Sequence, residues 1–268
     1  MSGRAEQDVN DGRAARGFMR IAQVLAPFLL LAAIWQIASF NFPKYLFPSL
    51  ADVFWHTLAI FMSWSQFSEV LATVGRILAG LVGAFVIGVA LATIMMRSRA
   101  VDRFLGPILN FFQGIPALSW VVFAIIWFHG TEPRIFFIMI MTSLPAFTFQ
   151  VLDALRGMSN DLFEMVLSFR PTRGKMFKAM VLPAILPDIL TAWKVNLGNA
   201  SRVVVVAELV GATGGVGYEL LQQQQIFDMA GALAWTLQLV IFVLITQKII
   251  ALMEAYAFRY RAVSERSL

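Results

Sequence analysis

Apolar residues in this chain fall into long uncharged blocks separated by short polar stretches. The blocks cover residues 21–40, 77–96, 104–128, 135–152 and 229–247. Each is close to the roughly 20 residues that an apolar helix needs to cross the hydrocarbon core of a bilayer. The block 104–128 contains Gly114 and Pro116, which predicts a short helix, a break and then a span. A further stretch, 184–206, is less pure, because Asp188, Lys194 and Arg202 interrupt it. Hydropathy alone leaves that stretch undecided.

The distribution of positive charge decides it. Loop 97–103 holds Arg97, Arg99 and Arg103, and loop 153–180 holds Arg156, Arg170, Arg173, Lys175 and Lys178. The C-terminal tail holds Arg259, Arg261 and Arg266. Between them, 41–70 has only Lys44, 129–134 only Arg134, and 209–228 no basic residue. Cytoplasmic loops carry the excess of Lys and Arg. Basic and bare loops alternate only if the chain also crosses between 180 and 209. The expectation is an all-α, polytopic membrane helix bundle of about six transmembrane helices, with both termini cytoplasmic. Residues 1–20 form an N-terminal tail, 21–258 the membrane domain and 259–268 a C-terminal tail. The largest cytoplasmic loop covers about 153–183.

Composition agrees. Of 268 residues, 59% are hydrophobic and 14% charged, against about a quarter charged in soluble domains. There is no cysteine, so disulfides, thiolate catalysis and Cys-ligated metals are excluded. His56 and His129 stand far apart, outside any metal-binding spacing. The net charge of +5 is explained by topology, with the lipid bilayer and not nucleic acid as the partner. In the second block, Gly80, Ala84 and Gly88 recur every four residues, a spacing that lets helices approach closely in lipid. Ordinary membrane-helix glycine explains it equally well.

The loop 153–183 has its own pattern. Asp161 and Glu164 are spaced as in a capping box. Phe163, Val166 and Leu167 then give a short helix an apolar face, and Pro171 and Gly174 break it. A second helical piece with Met176, Phe177 and Met180 leads to Leu182-Pro183. Such a helix can pack on its own protein, lie on the membrane or dock into a partner, and periodicity does not choose among these.

The segment resembles the EAA loop of permeases in importers of the ATP-binding-cassette (ABC) class. That pattern is Glu-Ala-Ala, three residues, Gly, nine residues, Ile, one residue, Leu-Pro. Glu164, Met180, Leu182 and Pro183 keep its spacing. Met165-Val166 replaces Ala-Ala, and Arg170 stands at the Gly position. Gly114-Ile115-Pro116, Ser119-Trp120, Trp127-Phe128, Leu182-Pro183-Ala184-Ile185-Leu186-Pro187, Ala207-Glu208 and Gly215-Val216-Gly217 are similar to the subfamily that imports sulfonates, taurine and nitrate. His129 replaces a family Gly.

The resemblance implies a type I importer fold in which two permeases, or two copies of one, line a central pathway. Coupling helices dock on separate ABC ATPase subunits, and a periplasmic or extracellular solute-binding protein delivers the cargo. It places the chain in the bacterial inner membrane, as a non-catalytic translocation subunit. Coupling then falls to Glu164, Leu167, Ser168, Arg170, Pro171, Gly174, Leu182 and Pro183. No cofactor or metal is expected on this chain. It lacks a Gly-x-x-x-x-Gly-Lys-Ser/Thr phosphate loop, so ATP and Mg belong to the partner ATPase.

Polar residues within spans are candidates for the pathway, because charges there usually face a bundle interior or water. Asn196, Asn199 and Arg202 are three apart and are expected to share a face, with Val195 elsewhere and Lys194 at its edge. Two cations on one side favour a small anionic cargo, such as a sulfonate, nitrate or carboxylate. The structural alternative has Lys194 snorkelling and Arg202 paired with Glu208 or Asp188. Glu208 is itself a pathway candidate, as are Gln113 and Trp120 beside the break, although an aromatic in a span more often packs. Arg76 reads as an interface anchor. Gln222–Gln225 read as a solvated loop or a binding-protein contact. A secondary transporter or a membrane-embedded enzyme is the alternative class. The first calls for internal repeats and the second for clustered His, Asp or Glu, and neither pattern is evident.

Overall fold

A computed structural model describes residue 23 and residues 25–169 and 171–257. The terminal tails and Arg170 lie outside the described residues. Every regular element described is a helix. In chain order they are α1 (Leu25–Asn41), α2 (Leu50–Met62), α3 (Trp64–Arg97), α4 (Arg99–Gly114), α5 (Ala117–Trp127), α6 (Thr131–Arg156), α7 (Asn160–Ser168), α8 (Arg173–Met176), α9 (Leu182–Gly211), α10 (Val216–Gln225) and α11 (Met229–Ala257).

Four described helices are long and apolar enough to span a membrane: Trp64–Arg97, Thr131–Arg156, Gly174–Gly211 and Met229–Tyr256. They contain the blocks 77–96, 135–152, 184–206 and 229–247. The stretch that hydropathy left open is therefore helical throughout, despite its charges. The expected break also appears. α4 and α5 meet at 94° across Ile115-Pro116, where Pro116 has no N–H to continue the ladder. Counting that pair as one span gives five. Of the block 21–40, the described part is α1, a shorter apolar helix.

Helices α3, α6 and α9 form the heart of the bundle. Small residues set how close they come. Gly80, Ala84 and Gly88 are all buried. A Cβ on Gly80 would lie 2.5 Å from Met139 Cβ, and one on Gly88 would lie 3.1 Å from Phe147 Cβ. The four-residue spacing is therefore a packing seam between α3 and α6, where close backbones replace the hydrophobic drive that lipid does not supply. Phe85, Phe147 and Trp193 fill the space where α3, α6 and α9 meet, with ring centroids 5.4–5.5 Å apart.

The bundle has two chemically distinct ends. At the bare-loop end, Arg76 of α3, Glu132 of α6 and Glu208 of α9 come together. At the basic end, Arg156 of α6 bonds Asp102 of α4 at 2.6 Å, and Lys194 of α9 pairs with Glu254 of α11. Residue 153 onward leads through α7 and α8 into a π-helical turn, Phe177–Val181, which runs directly into α9. The Leu182 N–H donates to the Phe177 carbonyl five residues back. This wider turn accommodates the missing donor and ring of Pro183.

Candidate functional site

The loop helix forms as its sequence pattern predicts, starting at Asn160, one residue before Asp161. It closes at Ser168, whose hydroxyl donates to the Met165 carbonyl at 2.6 Å. Most of its described side chains face outward. Glu164, Met165, Leu167 and Ser168 are exposed, as is Phe169 beyond it. Pro171 and Pro183 are half-buried, while Gly174 and Leu182 are exposed. Phe177 is also exposed, so the basic end presents several large apolar side chains and the Glu164 carboxylate to its surroundings. Of the predicted apolar face, Leu167 is exposed and Val166 half-buried, and the Phe163 side chain lies outside the described residues.

Helix α9 presents a second unpartnered surface. Asp188, Thr191, Val195, Asn199 and Arg202 are all exposed and follow one another at three- and four-residue steps. They form one stripe along the helix. The sequence expectation needs correction here. Val195 belongs to the stripe and Asn196 does not. Asn196 is buried, donating to Gln150 Oε1 of α6 at 2.7 Å and to the Ala192 carbonyl at 2.8 Å. Lys194 pairs with Glu254 rather than snorkelling. Among the described residues, no group pairs with Arg202. It borders a groove of about 460 Å³ between α9 and α11, with Ser201, Thr236 and Gln247.

Glu208 is in a different setting. Its side chain is 0% exposed, and it accepts from Thr73 Oγ1 at 2.9 and 3.0 Å, Arg76 Nη1 at 2.7 Å and Gly217 N–H at 2.8 Å. Thr73 Oγ1 also accepts from Val216 N–H at 2.8 Å, and Arg76 donates to the Gly214 carbonyl at 2.9 Å. Glu69 accepts from Gly215 N–H at 2.5 Å. The network ties the Gly211–Gly217 turn to α3. Gly215 has φ +107°, and a Cβ there would meet Glu208 Oε1 at 2.5 Å. Arg76 is therefore the centre of a buried network and not an interface anchor, while its other face holds Glu132 at 2.7 Å. Glu219 on α10 is pushed above the usual carboxylate range, first by burial and then by the charge of Glu69.

At the α4–α5 break the two candidates separate. Gln113 is exposed. Trp120 is only 5% exposed, ringed by Phe112, Phe123 and Phe137 at 5.8–6.0 Å, and its indole N–H has no acceptor among the described residues. The sequence reading missed Glu254, Gln150, Thr73 and Glu132. Of these, only Thr73 carried a signal, lying three residues before Arg76 on the same helix face.

Residues 84–259 match the family model described as binding-protein-dependent transport system inner membrane component. The chain belongs to this family. The permease is thus a multi-pass inner-membrane protein of the ABC importer class. It is 27% identical over 220 residues to the formylaminopyrimidine transport permease protein ThiX of Halalkalibacterium halodurans, covering 80% of this chain and 87% of that one. It is 27% identical over 197 residues to the taurine transport system permease protein TauC of Escherichia coli, covering 71% of each. It is 24% identical over 253 residues to a putative aliphatic sulfonates transport permease protein, SsuC of Bacillus subtilis, covering 93% and 90%. The permease also shares its fold with the inward-facing MetNI methionine ABC transporter, with a TM-score of 0.64 and 20% identity over 73% of this chain and 97% of that one. The bacterial alginate ABC transporter, in complex with an alginate-bound periplasmic protein, gives a TM-score of 0.54 and 15% identity over 91% and 96%. These likenesses establish the type I importer permease fold.

Proposed function

We propose that this permease is the non-catalytic translocation subunit of a binding-protein-dependent importer for a small anionic solute. It works as two copies whose α9 stripes face a common pathway. Separate ATPase subunits, which carry the ATP and Mg, dock on α7. A solute-binding protein delivers cargo at the bare-loop end, and both termini lie in the cytoplasm.

The observation that carries this reading is the exposure of Met165, Leu167 and Phe169 around Glu164 at the basic end. A short helix that leaves its large apolar side chains in water is stabilised by a partner that covers them. Glu164 to Pro183 keeps the spacing of a coupling loop, which supports an ATPase as that partner, with Ser168, Arg170, Pro171, Gly174 and Leu182 at or beside the contact. Asn199 and Arg202 support an anionic cargo, because a cation within a span is stabilised by a water-filled cavity and a counter-charge. Gln113, Lys194, Asn196 and Glu208 then support the pathway from behind or beside it, with Trp120 holding the broken helix. The names of the taurine and aliphatic sulfonate relatives agree with an anionic group on the cargo.

The test is a photo-crosslinking amino acid placed at Met165 in cells, with the exposed Leu252 of α11 as control. A crosslink from position 165, absent at 252, to a subunit carrying a phosphate-binding loop is the expected result. Crosslinks from 165 to lipid alone would overturn the coupling assignment.

A further inference from the structure

Three arginines crowd the corner where α3 turns into α4. Arg97 ends α3, Ser98 is the extended pivot, and Arg99 and Arg103 occupy the first turn and a half of α4. All three are exposed, and none has a carboxylate partner among the described residues. The nearby acid, Asp102, is already taken by Arg156 at 2.6 Å.

The rest of α4 is two-faced. Val101, Leu105 and Leu109 pack with Ala92 and Met95 of α3 and Val151 and Leu152 of α6. The opposite face leaves Phe104 69% and Phe111 68% exposed, with Ile108 between them. Those residues are spaced at four and three, a continuous apolar stripe. The stripe has a depth. Asp102 is level with Arg156 at the end of α6, whereas Leu109, about 10 Å further along α4, is in a cluster with Val151 and Leu152. The helix therefore slants from the basic end into the bilayer, with its arginines outermost. Leu118, exposed just past the bend, continues the apolar surface inward.

We infer that this corner is a binding site for an anionic phospholipid. The headgroup phosphate sits among Arg97, Arg99 and Arg103, and one acyl chain lies along Phe104, Ile108 and Phe111. The match is one of charge and of shape. Unpaired guanidinium groups at the headgroup level recognise phosphate oxygens, and an apolar stripe begins one residue beyond them at acyl depth. Basic pockets at helix ends that bind anionic headgroups follow the same physics. The α7 surface offers an exposed carboxylate, Glu164, whereas this corner offers only unpaired cations, so the two surfaces suit different partners.

Native mass spectrometry of the purified full chain in mild detergent tests the site. Dioleoylphosphatidylglycerol and dioleoylphosphatidylcholine are titrated separately, with inorganic phosphate as competitor. The expected result is preferential retention of phosphatidylglycerol, unaffected by millimolar phosphate. Substitution of Arg97, Arg99 and Arg103 by Gln should weaken it at least about 10-fold. Loop arginines also direct membrane insertion, so the single variant Arg103→Gln is run alongside, with an expected loss of about 5-fold. Phe104→Ala with Ile108→Ala should weaken both lipids, and Lys175→Gln with Lys178→Gln in the other basic loop should weaken neither. Equal retention by Arg103→Gln and the unchanged chain, equal binding of the two lipids, or displacement by phosphate would each overturn the assignment. So would loss of a copurifying protein from the arginine variants with lipid retention unchanged, which would make the corner a protein contact.

Discussion

Arg76 Nη1 lies 2.7 Å from Glu208 Oε1, joining α3 to α9 across 132 residues of chain. Glu208 spends its remaining accepting capacity on Thr73 and on the N–H of Gly217. The pair thus fixes both the angle of two core helices and the turn that follows α9.

Removing one partner leaves the other charge buried. Arg76→Ala strands the fully buried Glu208 carboxylate and is expected to destabilise by about 3–5 kcal/mol, and Glu208→Ala by less, because Arg76 keeps Glu132 as a partner at 2.7 Å. The double variant should cost clearly less than the sum. Chemical unfolding in detergent measures all three. Additive losses would show that the two residues act independently.

The turn itself is equally constrained. Gly215→Ala places a Cβ at φ +107° and against Glu208 Oε1. It should disrupt the network and lower the unfolding midpoint much as Glu208→Ala does. Gly174→Ala, where a Cβ would meet nothing within 4 Å, serves as the neutral comparison.

The packing seam predicts a graded series. Gly80→Ala meets Met139 Cβ at 2.5 Å and Gly88→Ala meets Phe147 Cβ at 3.1 Å. Overpacking on this scale costs about 1–3 kcal/mol, with Gly80→Ala the worse of the two. Thermal unfolding of the two variants decides the order.

Glu219 gives a pH dependence of definite sign. Burial and the charge of Glu69 raise its folded pKa. The folded state therefore holds this proton to a higher pH than the unfolded state does. The contribution of this residue is neutral well below the unfolded pKa and turns unfavourable as pH rises through the window up to the folded pKa. Glu219→Gln should remove that decline and stabilise the permease above the window, as unfolding midpoints measured across the acidic range will show.

Arg202 separates transport from folding. It has no partner to lose among the described residues, so Arg202→Gln should leave the unfolding midpoint unchanged. If it meets an anionic cargo, uptake should fall by about 10-fold or more, the value of one charged hydrogen bond. Arg202→Lys should retain part of it. Lys194→Gln, by contrast, strands Glu254 and should lower stability as well as uptake.

Much of this architecture was legible residue by residue. The blocks 77–96, 135–152 and 229–247 announced their helices, and Gly114 and Pro116 announced the 94° bend. Charge alternation recovered the helix through Lys194 and Arg202 that hydropathy left open. The loop helix around Glu164 was marked by its spacing and its breakers. The polar residues within spans were harder. Asn196 and Asn199 looked alike by periodicity, yet one bonds Gln150 and the other faces outward. Glu208 looked like a pathway residue, yet it lies inside a sealed network.

The sequence by itself determined which stretches form long apolar helices, because a bilayer imposes local rules. Each crossing must be apolar over contiguous residues, and positive charge gathers in alternate loops. Those rules act along the chain and can be read along it. Tertiary structure alone decided which polar group meets which. Arg76 finds Glu208 across 132 residues, Lys194 finds Glu254 across 60 and Asn196 finds Gln150 across 46. Such pairings depend on the rotation and vertical offset of each helix. In lipid, those are set by how closely small residues such as Gly80 and Gly88 let neighbouring backbones approach.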